Sequence, residues 1–192
     1  MSATPPPIAP PPDAALATSA LRGDDTAFAE LVRRHRGHLY KLILANVADA
    51  DEALDLVQET FLSAHRALGR YDPARPLRGW LTTIALNKCR DWARRRAVRR
   101  LFRFARPLEE AAEVAHDDPG PDEEADARRR MARVATAIAE LPASLREVLT
   151  LRTIEGLAQA EVAALLGISA KAVETRLYRA RARLQSALDE GM

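Results

Sequence analysis

Cysteine is almost missing from this chain. Cys89 stands alone, so no internal disulfide can form, and His35, His38, His65 and His116 have no cysteine cluster with which to complete a metal site. His35 and His38 sit three apart, yet they read as surface or partly buried side chains rather than ligands, and neither metal nor cofactor is expected. Aromatic residues make up only 5% of the chain. Alternating β-branched runs are also lacking, and together these absences argue for helices over strands. No apolar run approaches the roughly twenty residues needed to span a bilayer. The amino terminus, with prolines at 5–7 and 10–12, has neither the basic start nor the apolar segment of a secretion signal, so residues 1–23 read as a disordered proline-rich tail and the expected location is cytoplasmic. A nucleophile with its base, a working carboxylate pair and a phosphate-cradling loop are all missing, which excludes the common enzyme classes.

Net charge is only +2, but the charge is unevenly placed. Eight arginines and one aspartate lie between Cys89 and Arg106, whereas Pro107 to Ala127 holds nine acidic residues and no lysine or arginine. A basic block followed directly by an acidic one implies two different surfaces or partners.

Helical spacing of Phe28, Leu31, Val32, Leu39, Leu42 and Ile43 predicts a helix over Thr26 to Asn46, capped by Asp24 or Asp25. A second helix is expected from Asp51 to Leu68, with an apolar stripe of Leu54, Val57, Phe61, Ala64 and Leu68. That stripe leaves Asp55, Gln58, Glu59 and Leu62 facing outward, a pattern suited to docking a partner as well as to plain solvent exposure. The loop GRYDPARP at 69–76 cannot continue a helix. From Leu77 to about Arg100 a third helix sets Trp80, Thr83, Asn87, Arg90 and Arg94 on one stripe and Leu81, Ile84, Ala85 and Trp92 on another. The first stripe runs from aromatic through amide to cationic. With Tyr71 in the loop beside it, the stripe offers stacking rings and hydrogen-bond donors of the kind single-stranded nucleic acid needs; the alternative makes Trp80 a core anchor.

Residues 101–127, with Pro107, Pro119, Gly120 and Pro121 among acids, read as a flexible basic-to-acidic linker, and helices resume near Ala127. SLRE at Ser144 to Glu147 spells a capping box. Glu161 to Leu166 then forms a short apolar helix that Gly167 stops, and Ser169 caps a final helix, giving a three-residue corner. On that final helix Val173, Leu177, Ala180 and Leu184 share the docking face, while Lys171, Glu174, Thr175, Arg176, Tyr178, Arg179 and Arg183 point elsewhere. Arg179 and Lys171 suit guanine or phosphate, Thr175 a phosphate, Tyr178 a thymine methyl or the backbone, and Glu174 the amino group of cytosine. The expected fold is all-α: two small helical domains, 24–100 and 128–190, on a tether.

DLVQETF at 55–61, GRYDPARPLRGWLTTIALNKCRDWARRR at 69–96, and the segment from LPASLREVLTLR to RARARL at 141–184 follow one another in an order and spacing that resemble a bacterial sigma factor. The resemblance is to the extracytoplasmic-function type within the sigma-70 family, and it covers about Asp24 to Leu188. It implies that 24–100 is region 2 and 128–190 is region 4. Asp55, Gln58, Glu59 and Leu62 would dock on core RNA polymerase at its beta-prime clamp, with a further contact at the beta flap. Tyr71 and Asn87 would hold an unstacked non-template base of the minus-ten element, with Trp80 in the same minus-ten site and Arg78, Arg90, Arg94 and Arg95 on the backbone. Thr175, Tyr178 and Arg179, with Lys171, Glu174, Arg176 and Arg183 around them, would read the minus-thirty-five element as duplex. An anti-sigma factor is a further implied partner; membrane insertion and a stable homo-oligomer are not expected. Glu174 stands where the family often carries a basic or small polar residue, and Ala158 replaces the serine or threonine that commonly caps the first helix of the corner.

Two other readings remain open from sequence. A sigma-like decoy would sequester an anti-sigma factor without touching DNA, although the arginine block and recognition helix are both retained. A stand-alone helix-turn-helix repressor would leave the stretch from Asp55 to Asn87 without a purpose.

Overall fold

The computed structural model describes residues 11–103 and 122–189; all elements among them are helical. α1 spans Asp13–Leu21, α2 Asp25–Val47 and α3 Ala50–Ala67; a single 3-10 turn at Leu68–Arg70 follows, and then α4, Leu77–Arg103. After the undescribed stretch come α5 (Asp122–Glu140), α6 (Ala143–Thr153), α7 (Gln159–Leu166) and α8 (Ala170–Asp189).

Local chemistry sets most of these boundaries. The Asp24 carboxylate accepts from the Thr26 and Ala27 amides at 3.0 and 3.1 Å, and Asp49 does the same for Glu52 at 3.0 Å. α4 starts directly after Pro76 and meets no glycine or proline breaker beyond its first turn, so it runs the length of the arginine block. Leu39, Leu42 and Ile43 of α2, Leu56 of α3, and Ala85 and Leu86 of α4 are buried to within about a percent and form the centre of a three-helix packing. Val148 and Leu151 of α6, Val162 of α7 and Val173 of α8 belong to the same apolar cluster, so the two expected domains share one core across α2 and α6. A second small cluster, Leu141, Leu145, Leu149 and Ala180, joins α6 to α8 with Ile138 of α5 at its edge.

Four expectations change. The tail expected over 1–23 contains α1, which the neighbouring prolines concealed: Pro12 precedes its first turn, and Leu16, Ala17 and Ala20 bury against the body of the fold. Asp13 clamps it, bonding Arg34 at 3.0 Å and His35 at 2.7 Å. The linker expected over 101–127 is shorter at both ends, because α4 continues to Arg103 and the acids from Asp122 open α5, where a helix N-terminus favours negative charge; 104–121 and 1–10 lie outside the described residues. The Ser144 to Glu147 capping box does not form: the Pro142 carbonyl accepts from the Leu145 and Arg146 amides at 2.9 and 3.0 Å, so the helix starts earlier and Glu147 is released. Leu54, placed in the buried stripe of α3, is exposed, and Leu56 takes its place.

His38 of α2 is half-buried beside His35, with ring centroids 5.2 Å apart. Burial first, then the charges of Arg78 and His35, lowers its pKa from 6.5 to about 4.

Two outcomes follow. Ala17→Asp places a carboxylate at a site 1% exposed and is expected to cost about 2 kcal/mol or more in denaturant unfolding, whereas Ala15→Asp on the exposed face of α1 is expected to change little. A base whose folded pKa is depressed contributes full stability above its unfolded pKa and loses it as pH falls toward the folded one. The melting temperature should therefore drop between pH 6.5 and about 4 more steeply for the native chain than for His38→Gln. The Asp24 and Glu30 carboxylates are held below their usual range by the Thr26 and Arg33 hydrogen bonds respectively, so their contributions are lost mainly below that window.

Candidate nucleic-acid and polymerase interface

α3 presents Asp55, Gln58 and Leu62 to solvent, as its spacing predicts, while Glu59 is half-buried against Lys88 of α4, 3.4 Å away. Beside this face runs a groove the sequence did not disclose. Phe28 and Val32 of α2, expected in the apolar stripe, pack partly against the core and also line an open apolar channel with Val57, Phe61 and Leu62; Arg36, Gln58 and His65 complete its lining. Phe28 meets Phe61 edge-on at 6.5 Å and His65 at 4.8 Å, which fixes the floor of the groove.

The loop 71–76 behaves differently from the expectation that Tyr71 offers an open ring. Tyr71 is only 7% exposed: its hydroxyl donates to the Arg75 carbonyl at 2.7 Å, and its ring lies 5.4 Å from that of Trp80. The loop is wound around the tyrosine, because two prolines deny it a helix and the phenol supplies a hydrogen bond that the backbone needs. Burial also raises the phenol's pKa, with the charges of Asp13 and Asp72 adding to it. Trp80 is half-buried on this tyrosine, so it both anchors the loop and leaves part of its ring on the surface.

Further along α4 the stripe reaches solvent at Asn87, Arg90 and Arg94, and Arg95 is exposed beside it. These cations are not idle. Arg90 Nε and Nη2 bond the two carboxylate oxygens of Glu147 on α6 at 2.6 and 2.7 Å, and its Nη1 reaches the Asn87 amide oxygen at 3.1 Å. Arg78 Nε bonds Glu155, just past α6, at 2.8 Å. Arg94 pairs with Asp91 on its own helix. Cys89 is buried among these groups; desolvation pushes its thiol up to about 12, consistent with the small apolar residue its sequence position suggests. Glu155 escaped the sequence reading and Glu147 entered it only as the end of a capping box, although a lone acid inside the apolar run LREVLTL is an available signal of a buried partner.

The corner forms as expected. Gly167 takes φ 65°, a left-handed conformation suited to glycine, and Ser169 Oγ accepts from the Ala172 amide at 3.1 Å. Ala158 supplies no cap, but Glu161 reaches back to its amide at 2.6 Å, which keeps half of a capping box. Gln159 ties α7 to α8 by donating to the Ala170 carbonyl at 2.7 Å. Val173 and Ala180 are buried, whereas Tyr178 is 74% exposed, flanked by exposed Arg179 and Arg183. Lys171 and Glu174 pair at 3.0 Å on the first turn. The Thr175 hydroxyl donates to the Lys171 carbonyl at 2.9 Å and so is committed to its own helix, and Arg176 is half-buried.

Among the described residues no cluster of histidine, cysteine and acids is placed to hold a metal, and no helix is long and apolar enough to cross a membrane.

Comparison with known proteins places this geometry. The sigma-70 region 2 profile matches residues 31–100, and the sigma-70, region 4 profile matches 131–184. The RNA polymerase sigma factor CnrH of Cupriavidus metallidurans is 44% identical over 180 residues, spanning 92% of this chain and 94% of the relative. The ECF RNA polymerase sigma factor SigM of Mycobacterium tuberculosis is 34% identical over 180 residues, spanning 90% of this chain and 82% of that one. Among solved structures, CnrH in complex with the cytosolic domain of CnrY superposes with a TM-score of 0.67 at 38% identity, covering 94% of this chain and 99% of that one. Two helical units, one bearing an arginine stripe and the other a helix-turn-helix, therefore carry matches to both regions in order, and the chain belongs to the sigma-70 family as an RNA polymerase sigma factor of the ECF type.

Proposed function

We propose a division of labour for the residues of this sigma factor, a DNA-binding initiation factor rather than an enzyme. α8 reads the minus-thirty-five element through Arg179, Tyr178, Lys171 and Arg183, with Glu174 selecting bases by its pairing with Lys171, and Thr175 and Arg176 supporting the helix. α4 holds the opened minus-ten strand: Asn87 supplies edge hydrogen bonds, the free edge of Trp80 supplies stacking, and Arg78, Arg90, Arg94 and Arg95 hold phosphates. Extruding a base costs a few kcal/mol, which stacking and base-edge bonds offset. Tyr71 acts by holding the loop under Trp80. The observation that carries this reading is the pairing of an exposed cationic stripe on α4 with an exposed Tyr178–Arg179 face on α8 within one chain that matches both regions.

The face of α3 at Asp55, Gln58, Glu59 and Leu62 docks on the clamp of core polymerase, and the adjoining groove of Phe28, Val32 and Phe61 accepts apolar side chains of a partner helix. A relative, CnrH, has been solved with the cytosolic domain of CnrY. A restraining anti-sigma protein of comparable kind is proposed here, acting in the cytoplasm, where promoter and polymerase are found.

Reconstituted transcription with core polymerase, on promoters selected from genomic fragments, tests the reading; lack of any stable complex with core polymerase contradicts it. Asn87→Ala and Arg179→Ala are each expected to lower promoter output by about 10- to 100-fold without moving the melting temperature, as loss of about 1–3 kcal/mol of base recognition requires. Tyr71→Ala is expected to lower folding stability by about 3 kcal/mol, and Tyr71→Phe by about 1 kcal/mol with output largely kept. Equal loss of output in Tyr71→Phe and Asn87→Ala would assign the tyrosine hydroxyl to DNA instead.

A further inference from the structure

α1 is too short to stand alone. Its nine residues fall below the length at which an isolated helix holds in water, so its order comes from what it packs against. It lies on α2 and on the 3-10 turn at Leu68–Arg70 that leads into the loop 71–76. Leu16, Ala17 and Ala20 share one apolar cluster with Leu31 and Leu39 of α2 and with Leu68 and Tyr71. Both ends of the helix are fixed. At its start Arg34 donates to the Pro11 carbonyl at 2.7 Å and to Asp13 at 3.0 Å, and the other Asp13 oxygen meets His35 Nε2 at 2.7 Å. At its end Gly23, at φ 93°, turns the chain straight into the Asp24 cap of α2.

The loop beside α1 needs outside support. Its own polar contacts are local. The Tyr71 amide donates to the Leu68 carbonyl at 3.0 Å, the Arg75 amide to the Asp72 carbonyl at 3.0 Å, and the Ala74 amide to the Asp72 carboxylate at 3.0 Å. The Tyr71 hydroxyl adds its bond to the Arg75 carbonyl at 2.7 Å. Bonds of this kind give a loop its shape, not its place on the body of the fold. Its place is set where Leu68 and Tyr71 enter the core, and α1 flanks that entry at both ends. A β-carbon on Gly69 would lie 3.9 Å from Leu21 Cδ2. The Asp13 charge reaches the Tyr71 phenol, where it adds to the larger effect of burial in raising the pKa.

We infer that α1 is a splint for the strand-reading loop: Asp13 at its start and Leu21 at its end hold the stretch 68–76, and with it the Trp80 ring, in the geometry that receives an extruded base. The inference rests on the assignment of Trp80 and Asn87 to the opened minus-ten strand made above. The Trp80 ring lies 5.4 Å from that of Tyr71, and the Trp80 amide donates to the Pro76 carbonyl at 3.5 Å, so a shift of the loop tilts the indole. Asn87 stands about 10 Å further along α4 and is placed by that helix alone. The two halves of base recognition are thus positioned separately, the edge contact by α4 and the stacking ring by the loop and α1. A ring free to wander must be ordered at the moment of capture, and that ordering subtracts from the stacking that offsets unpairing. A loosened splint therefore slows opening and leaves the α3 docking face and the α8 reader as they were. Asp13 and Leu21 are positioning residues, acting through Tyr71 and Trp80.

The full-length chain with core polymerase, on a promoter selected as above, supplies the test. The fluorescence of 2-aminopurine placed in the minus-ten element reads unstacking of the base. Asp13→Asn and Leu21→Ala are each expected to slow that signal by about fivefold or more, while affinity for core polymerase and for the closed promoter stays within about twofold of native. On a template already mismatched over the minus-ten element the difference in transcript output should shrink below about twofold, since unpairing no longer has to be offset. Ala15→Asp, on the exposed face of α1, should open at the native rate. Native opening in either test variant overturns the splint. Loss of closed-promoter binding in step with opening also overturns it, because α1 then serves folding alone. Leu21 is 53% exposed, so its alanine variant keeps the test readable even where Asp13→Asn fails to fold. Asn87→Ala on the same promoter separates this from the parent reading. Native opening there removes α4 from base capture whatever α1 does, whereas slowed opening there beside native rates in the α1 variants removes only the splint.

Discussion

The grip of Arg90 on Glu147 is the contact on which the arrangement of this sigma factor turns. A guanidinium on α4 and a nearly buried carboxylate on α6 meet through two parallel hydrogen bonds, and among the described residues no other polar contact across that seam is as complete. The apolar cluster that runs from Leu39 and Leu86 to Val148 and Val173 supplies attraction between the halves, but that attraction is non-directional. The ion pair gives it a register, placing Thr150 against Asn46 and Glu155 against Arg78. Breaking such a pair from one side leaves a carboxylate with little water to replace its partner, so the seam favours two states over a continuum.

The same seam explains why an arginine-rich helix is compatible with a chain of nearly balanced charge. An unscreened block of arginines along α4 repels itself. Acids borrowed from region 4 relieve part of that repulsion in the free chain, and Asp91 relieves more within α4. α8 shows the opposite economy: Lys171 pairs with Glu174 on its first turn, while Tyr178 and Arg179 stand exposed.

Much of this was legible in the sequence, and the failures have physical causes. Helical periodicity placed α2, α3, α4 and α8 within a few residues, because each has a strong cap or a long apolar repeat: Asp24, Asp49, Pro76 and Ser169 are all visible as letters. α1 was hidden because the prolines before it dominate local composition, whereas its stability comes from Ala17 and Leu16 packing on distant residues and from Asp13 reaching His35. Acids at 122–126 looked like linker because composition does not say whether they sit at a helix start. The roles of Asn87, Arg90 and Tyr178 as surface groups followed from spacing, but the burial of Tyr71 did not, since a loop aromatic carries no periodicity to announce which way it faces. Glu147 was misassigned for a related reason. A serine three residues before a glutamate fits a cap, and only the tertiary position of Pro142 and Arg90 reveals that the acid serves another helix.

A double-mutant cycle on Arg90 and Glu147, read by denaturant unfolding of the free full-length chain, tests the central claim most directly. Each single alanine variant and the pair are measured, and the coupling is the part of the double variant's effect that the singles do not add up to. A coupling of about 1 kcal/mol or more is expected, as a charge-assisted, two-pronged pair with a nearly buried carboxylate requires. Additivity within about 0.3 kcal/mol would show instead that the two units are held together without this contact.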